Sequence, residues 1–285
     1  MRAFVLAIIK IYWLYLKGTS MAINQAAINS GAAHLHDLFA RVAQSPGLPA
    51  DCAGLTEADG YAIQSALLAR LSGDQPIARV GYKIGCTNAA ARGLLNADHP
   101  FHGTLLADRC YASPAQLGSN QFNTLGIEPE LALVLGADLP SQVDPYTAET
   151  VADAVVAVLP AIEVVDSRYL GWTAVGLPSL VADNGVNAGW VEGPSMPAAK
   201  IDLMRQPVAL RRNGKIEHEG VGANVDGGPL AVLAWLANML NRQGEMLKAG
   251  QKISTGTLTP VLMAAPGDHI EADFGSLGAV SINFN

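Results

Sequence analysis

The chain has 285 residues, half of them hydrophobic, and a formal net charge of −7. That length and apolar content suffice for a sizeable core in one domain, or in one domain with a small lobe, and they exclude a disordered chain. The acidic balance and the lack of a basic run argue against nucleic acid as a partner, and three scattered cysteines, Cys52, Cys86 and Cys110, with no CxxC pair, argue against a zinc knuckle or disulfide frame and for the cytoplasm.

The chain opens on an apolar run from Phe4 to Leu16, broken by Lys10. Such a run makes about 20 Å of helix, short of a hydrocarbon core of roughly 30 Å, and no small-residue cleavage site follows it. Residues 1–20 therefore read as an extension outside the fold, with a weak membrane anchor as the lesser alternative. Leu35, Leu38, Phe39 and Val42 recur at i, i+3, i+4 and i+7, which predicts an amphipathic helix around His34 to Ala43 with His34 and His36 on its exposed side. Thr56-Glu57-Ala58-Asp59 resembles a capping box and opens a second helix through about Leu71. These helices make residues 21–75 a small lobe, leaving 76–285 as the β-rich part that carries the chemistry.

Arg79 to Gly85 reads as a strand with Val80, Tyr82 and Ile84 on one face. Lys83 lies on the other, between glycines that leave room for a ligand, although most strand lysines simply face water. The next loop, Asn96 to Leu106, carries His102, either a proton carrier near neutral pH or a structural histidine. From Ile127 a strand places Glu128 and Glu130 on one face and Leu131, Leu133 and Leu135 on the other. Two readings compete there. The glutamates line the solvated face of an edge strand, where Pro129 is tolerated; or they hold a cation, because close like charges resist burial.

Thr147 caps a predicted helix with a Val151, Val155, Val158 stripe, stopped by Pro160. The strand Ala161 to Val165 follows and turns Glu163 away from Ile162 and Val164, as a possible third ligand. Three carboxylates without clustered His or Cys suit Mg²⁺ or Mn²⁺ better than zinc. Arg168 is expected to pair with Asp166. Val181 to Gly189, containing Asp183, is either a plain turn or a backbone passing close to a ligand. Asn213-Gly214 is a strong hairpin signal, whereas Gly220-Val221-Gly222 lacks the context of a phosphate loop. Pro229 opens a helix with Leu230, Leu233, Ala237 and Leu240 on one face. The strand from Lys252 ends in Thr255-Gly256-Thr257, which offers hydroxyls and an unhindered backbone N–H to a carboxylate. Ile270, Ala272 and Phe274, then Val280, Ile282 and Phe284, predict a closing hairpin. Without strict βαβ alternation, the pattern indicates an α+β fold with a rolled or barrel-like mixed sheet.

The run Glu-Pro-Glu-Leu-Ala-Leu-Val-Leu-Gly from Glu128, Ile-Glu-Val-Val-Asp-Ser-Arg from Ile162, Tyr-Lys-Ile-Gly-Cys-Thr from Tyr82 and Gly-Gln-Lys-Ile-Ser-Thr-Gly-Thr from Gly250 resemble the fumarylacetoacetate hydrolase superfamily. Within it the chain is most similar to the 2-keto-4-pentenoate hydratase and 4-oxalocrotonate decarboxylase branch, over roughly Thr56 to Phe284. The resemblance implies the β-rich roll of that superfamily, with a few peripheral helices. It implies Mg²⁺ or Mn²⁺ on Glu128, Glu130 and Glu163, Lys83 in the active site, and Thr255, Gly256 and Asp183 near the substrate acid. The activity implied is hydration of a 2-hydroxy-alka-2,4-dienoate from aromatic catabolism, by a homo-oligomer. Decarboxylation of a 4-oxalocrotonate-type diacid and a catalytically silent metal-binding homologue are the alternatives. Many relatives carry an acidic then an aromatic residue before the glycine at Gly103; Phe101-His102 stands there instead, which leaves His102 as a second candidate proton carrier.

Overall fold

The computed structural model describes residues 23–285, so the predicted extension over 1–20 lies outside the described residues. The first described helix, Gln25–Arg41, is capped by Asn24, whose side chain accepts from the Ala27 N–H, and stops where Val42 turns left-handed. It starts earlier than the hydrophobic spacing suggested, and His34 and His36 are half-buried instead of exposed; the His34 ring reaches the Ser45 hydroxyl at 2.9 Å. The second helix, Glu57–Ser72, has the capping box read from sequence, formed by Thr56 and Asp59. The two helices pack on each other, and the second on the short helix Leu177–Ala182, in an apolar cluster that includes Leu35, Ile63, Leu67 and Tyr169. Gly60 permits that approach: a Cβ there would lie 2.5 Å from the Pro178 carbonyl oxygen.

The remaining chain supplies the strands β1 (Arg79–Gly85), β2 (Phe101–Leu106), β3 (Cys110–Ala112), β4 (Ala115–Leu117), β5 (Gly126–Leu135), β6 (Val155–Val165), β7 (Asn187–Glu192), β8 (Met196–Pro197), β9 (Pro207–Arg212), β10 (Lys215–Val221), β11 (Lys252–Thr257), β12 (Leu262–Met263), β13 (His269–Asp273) and β14 (Ala279–Phe284). The larger sheet runs β2-β1-β11-β5-β6-β7-β3, with β12 added to β5 and β8 to β6. A five-stranded sheet, β10-β9-β13-β14-β4, packs against it. Apolar side chains of both, among them Leu131, Leu133, Ile253, Ile270 and Val280, fill the space between and leave the opposite face of the larger sheet for the functional groups.

This topology decides between the two readings of the Glu128 strand and corrects the helix expected after Thr147. β5 is a central strand between β11 and β6, not an edge, so Glu128 and Glu130 do not line a solvated margin. Pro129 is accommodated because its backbone faces the gap where β11 leaves, at Thr257, and β12 joins, at Leu262; its carbonyl there accepts from Leu258 N–H. Likewise the helix capped by Thr147 ends at Ala152, and Val155 already opens β6. Val151, Val155 and Val158 fit a helical stripe, but β-branched residues favour the pleated strand that buries Val155 and Val158 and exposes Val156. Pro160 does not stop the strand. It sits where the β6 neighbour changes from β7 to β8, so its missing N–H leaves no ladder partner unpaired.

Among the described residues no helix is long and apolar enough to cross a membrane.

Candidate functional site

Strand register assembles the acidic cluster. In the β5–β6 ladder Glu128 lies directly opposite Glu163, and Glu130 opposite Ala161, so all three glutamates leave the same face. Each offers a carboxylate oxygen within 4.8 Å of the others. Glu130 and Glu163 are fully buried, and Glu128 is half-buried. Burial and then the Glu163 charge push the Glu128 carboxyl up to about 7, against the pull of Lys83. Burial, Glu163 and Glu128 hold Glu130 well above the usual carboxylate range. Glu130 Oε1 and Glu163 Oε2 have no hydrogen-bond partner. Buried unpaired oxygens in an all-oxygen set of three carboxylates fit a hard divalent cation.

Lys83 comes from β1, whose register with β11 pairs it with Ser254 on this face. Its Nζ lies 3.1 Å from Glu163 Oε1 and donates to the Gly185 carbonyl at 2.8 Å. Burial alone would depress the ammonium pKa, but Glu163, Glu128 and Glu130 together raise it. Gly185 is held in a run of three left-handed residues, Asn184, Gly185 and Val186, with φ of 52°, 62° and 59°. For the β-branched Val186 that conformation is strained. It is sustained by the Asn184 amide, which accepts from Thr104 N–H and donates to Thr104 O. Beneath the glutamates, Ser254 donates its hydroxyl to Glu130 and accepts from Trp190 Nε1, and Asn187 donates to Glu163 Oε1 at 2.9 Å.

Above the cluster opens a cavity of about 580 Å³ whose lining includes Lys83, Glu128, Thr87, Asn224, Gly256 and Thr257. At Gly256, φ is +100° and a Cβ would fall 1.9 Å from Thr87 Oγ1. The glycine forms the irregularity that separates the Ser254 and Thr257 pairings of β11 with β5.

Residues 106–284 match the family model described as fumarylacetoacetate (FAA) hydrolase C-terminal. The chain belongs to the fumarylacetoacetate hydrolase family. It is 34% identical to a 2-keto-4-pentenoate hydratase from Paraburkholderia xenovorans over 79% of this chain and 83% of that protein. It is 33% identical to a 4-oxalocrotonate decarboxylase from Pseudomonas putida over 92% and 98%. The solved structure of 4-oxalocrotonate decarboxylase from Pseudomonas putida G7, complexed with magnesium and adipate, matches with a TM-score of 0.87 at 29% identity and covers 93% of this chain and 99% of that one. The family and the rolled mixed-sheet fold expected from the sequence are thus those observed.

Within this family member three sequence-predicted residues sit elsewhere than expected. The Thr255 hydroxyl donates to the Leu131 carbonyl at 2.8 Å, on the other face of β11; the hydroxyl on the glutamate face belongs to Ser254. Asp183 is fully buried away from the cavity lining, with Oδ1 2.5 Å from Arg168 Nε and Oδ2 accepting from Arg168 N–H. Arg168 therefore pairs chiefly with Asp183, and Asp166 stands farther off at 3.8 Å. His102 pairs with Ile84 in the β1–β2 ladder and so projects from the face opposite Lys83. Its ring stacks on Tyr61, meets Tyr82 edge-on, and lies outside the cavity lining. Phe101, at the position where many relatives were expected to carry an acid, turns its ring to the cavity, with Lys83 Nζ 5.4 Å from the ring centre.

Ser254 and Asn187 escaped the sequence reading. Asn187 lay in a segment rich in small polar residues, and Ser254 lay one residue from the threonine chosen instead; only the β1–β11 and β6–β7 registers separate the faces.

Proposed function

We propose that this chain is a divalent-metal-dependent hydratase that adds water to 2-hydroxy-alka-2,4-dienoates, the acids formed in aromatic catabolism. The observation that carries the reading is the convergence of Glu128, Glu130 and Glu163 beside the buried Lys83 ammonium at the base of a largely apolar cavity. Similarity to the 2-keto-4-pentenoate hydratases over most of the chain supports it.

Glu128, Glu130 and Glu163 would hold the cation, and an all-oxygen donor set favours Mg²⁺ or Mn²⁺. Once bound, it supplies positive charge against the negative charge that develops on the substrate 2-oxygen. The chain's own groups do the rest. Lys83, fixed by the Gly185 carbonyl and Glu163, presents its ammonium to the substrate carboxylate and exchanges a proton with the reacting dienol. Gly256 brings the β11 backbone to the cavity lining for the substrate acid, with the Thr87 side chain filling the place of its missing Cβ. Phe101, Val186 and Leu258 line the walls and limit water to what the reaction consumes. The reading includes a homo-oligomer in the cytoplasm, in keeping with three free thiols.

A second reading, decarboxylation of a 4-oxalocrotonate-type diacid, is favoured by the near full-length similarity to 4-oxalocrotonate decarboxylases. Against it, Lys83 is the sole cationic side chain among the described residues lining the cavity, which leaves a second substrate carboxylate without a partner there.

The test is a product-identified assay with Mg²⁺ or Mn²⁺. Conversion of 2-hydroxypenta-2,4-dienoate to 4-hydroxy-2-oxopentanoate supports the hydratase, and carbon dioxide release from 2-oxohex-3-enedioate supports the decarboxylase. Turnover of neither indicates a silent metal-binding homologue. Lys83→Met should lower kcat by about 10²–10⁴-fold while divalent ions still raise the melting temperature.

A further inference from the structure

The cavity is larger than the smallest dienoate requires. Its volume of about 580 Å³ falls within the range that houses drug-sized ligands, ~300–1,000 Å³. A five-carbon acid with its oxygens at Glu128 and Lys83 occupies only the inner end. The outer wall is built from Ala91, Leu94 and Leu95 of the Ala89–Leu95 helix, Trp172 of the turn packed against that helix, and Val261. Leu94 is 59% exposed and Trp172 half-exposed at this mouth. Apolar side chains that meet water on a concave wall continuous with an active site are suited to cover an apolar part of the ligand.

The charges nearby make the same selection. Arg92 shares the helix with Ala91 and Leu94, but its guanidinium donates to the Cys86 carbonyl at 3.1 Å and pairs with Asp226 at 2.5 Å, outside the cavity lining. Lys83 is held at the inner end by Glu163 and Gly185. The outer end thus offers contact area and no counter-charge.

We propose that the outer end is a specificity pocket for an apolar alkyl or aryl substituent on the distal carbon of the dienoate, with Leu94 and Trp172 as its specificity-determining residues. The preferred substrates are then longer mono-acids, in preference to both the unsubstituted pentadienoate and a diacid. This inference rests on the hydratase reading above and names the substrate class for it.

The full chain with Mg²⁺ is assayed on 2-hydroxypenta-2,4-dienoate, its hexa- and octa-2,4-dienoate homologues, the 5-phenyl derivative and 2-hydroxyhepta-2,4-diene-1,7-dioate. The specificity constant should rise by about fourfold per methylene that becomes buried, and the diacid should fall below the alkyl substrate of similar length. In Leu94→Glu, an exposed position that tolerates the change, the octa-to-penta ratio of specificity constants should drop about tenfold. A flat or falling series, a diacid preferred over alkyl chains, or a ratio unmoved in Leu94→Glu overturns the pocket while leaving the hydratase reading in place. Absence of turnover on every member, the shortest included, rejects the hydratase reading and the pocket with it.

Discussion

Glu128 and Glu163 face one another as directly registered partners across the β5–β6 ladder, where opposed like charges destabilise a sheet. Glu130, one pleat along, completes a set whose mutual repulsion only Lys83 offsets among the charges that shift Glu128 and Glu130. The fold therefore holds an electrostatic strain that a bound cation relieves.

Divalent ions should accordingly stabilise the protein, by about 2.7 kcal/mol at a hundredfold excess over Kd. Glu130→Gln keeps the contact with Ser254 and removes one charge. Without metal this variant should be more stable than the parent, within the roughly 1–4 kcal/mol seen when buried charges are replaced, and Mg²⁺ or Mn²⁺ should no longer raise its melting temperature. Thermal unfolding with and without each ion reads both effects. A parent and a variant with equal metal-induced shifts would remove the cluster as the metal site.

The buried Asp183–Arg168 pair assigns Asp183 to scaffolding. Burial pushes its carboxyl up to about 6 even though Arg168 pulls it down. Asp183→Asn leaves Arg168 buried beside a more distant Asp166, a loss on the order of 3–5 kcal/mol. Denaturant unfolding should show that loss, while KM, measured well below the melting transition, stays within about twofold of the parent. A large rise in KM with intact stability would instead restore Asp183 to the substrate.

Period-two patterns made much of this molecule legible in its sequence. The alternation along β5 gave the face of Glu128 and Glu130, and Asn213-Gly214 adopts the expected positive φ angles between β9 and β10. The Thr56 capping box depends on neighbours three residues apart, and it too was readable. What failed depended on partners distant in the chain. Whether Ser254 or Thr255 meets the glutamates, and whether His102 shares a face with Lys83, is set by the register of β1 with β11 and β2. The choice of Asp183 over Asp166 as the Arg168 partner depends on how the Leu177–Ala182 helix returns the chain. Val151, Val155 and Val158 fit a helical stripe, yet only Val151 is helical; the pairing of β6 with β5 takes Val155 and Val158 into the strand.

Gly256 has two separate reasons to lack a side chain, its φ of +100° and its closeness to Thr87. Gly256→Ala should destabilise the protein by more than the roughly 1 kcal/mol typical of a point substitution and abolish turnover. Thr87→Ala in the same chain removes the Oγ1 and Cγ2 contacts but leaves its own Cβ 2.9 Å away and the backbone strain in place, so it should recover only part of the stability. A double-mutant cycle on unfolding free energy measures the shared part; purely additive effects would mean that the two residues do not touch.

His102 provides a pH signature independent of the metal cluster. Burial, followed by the nearby Arg79 charge, lowers its pKa to about 4, and the polar side chain of Gln243 offsets this only in part. Neither ring nitrogen makes a well-formed hydrogen bond, so the neutral ring is the form the fold accommodates. In the unfolded chain the imidazole titrates near ~6.5. Between those values the unfolded state binds the additional proton, so stability rises with pH there; the contribution is fully present above the unfolded pKa and is lost as pH falls through the window from about 6.5 to about 4. His102→Phe keeps a ring against Tyr61 and Tyr82 but cannot take up a proton. From pH 7 to pH 5 the parent should therefore lose about 2 kcal/mol more unfolding free energy than His102→Phe. Paired denaturant titrations cancel the groups common to both proteins. Parallel stability curves would mean that His102 takes up its proton as readily in the fold as in the unfolded chain, and burial would then not govern its titration.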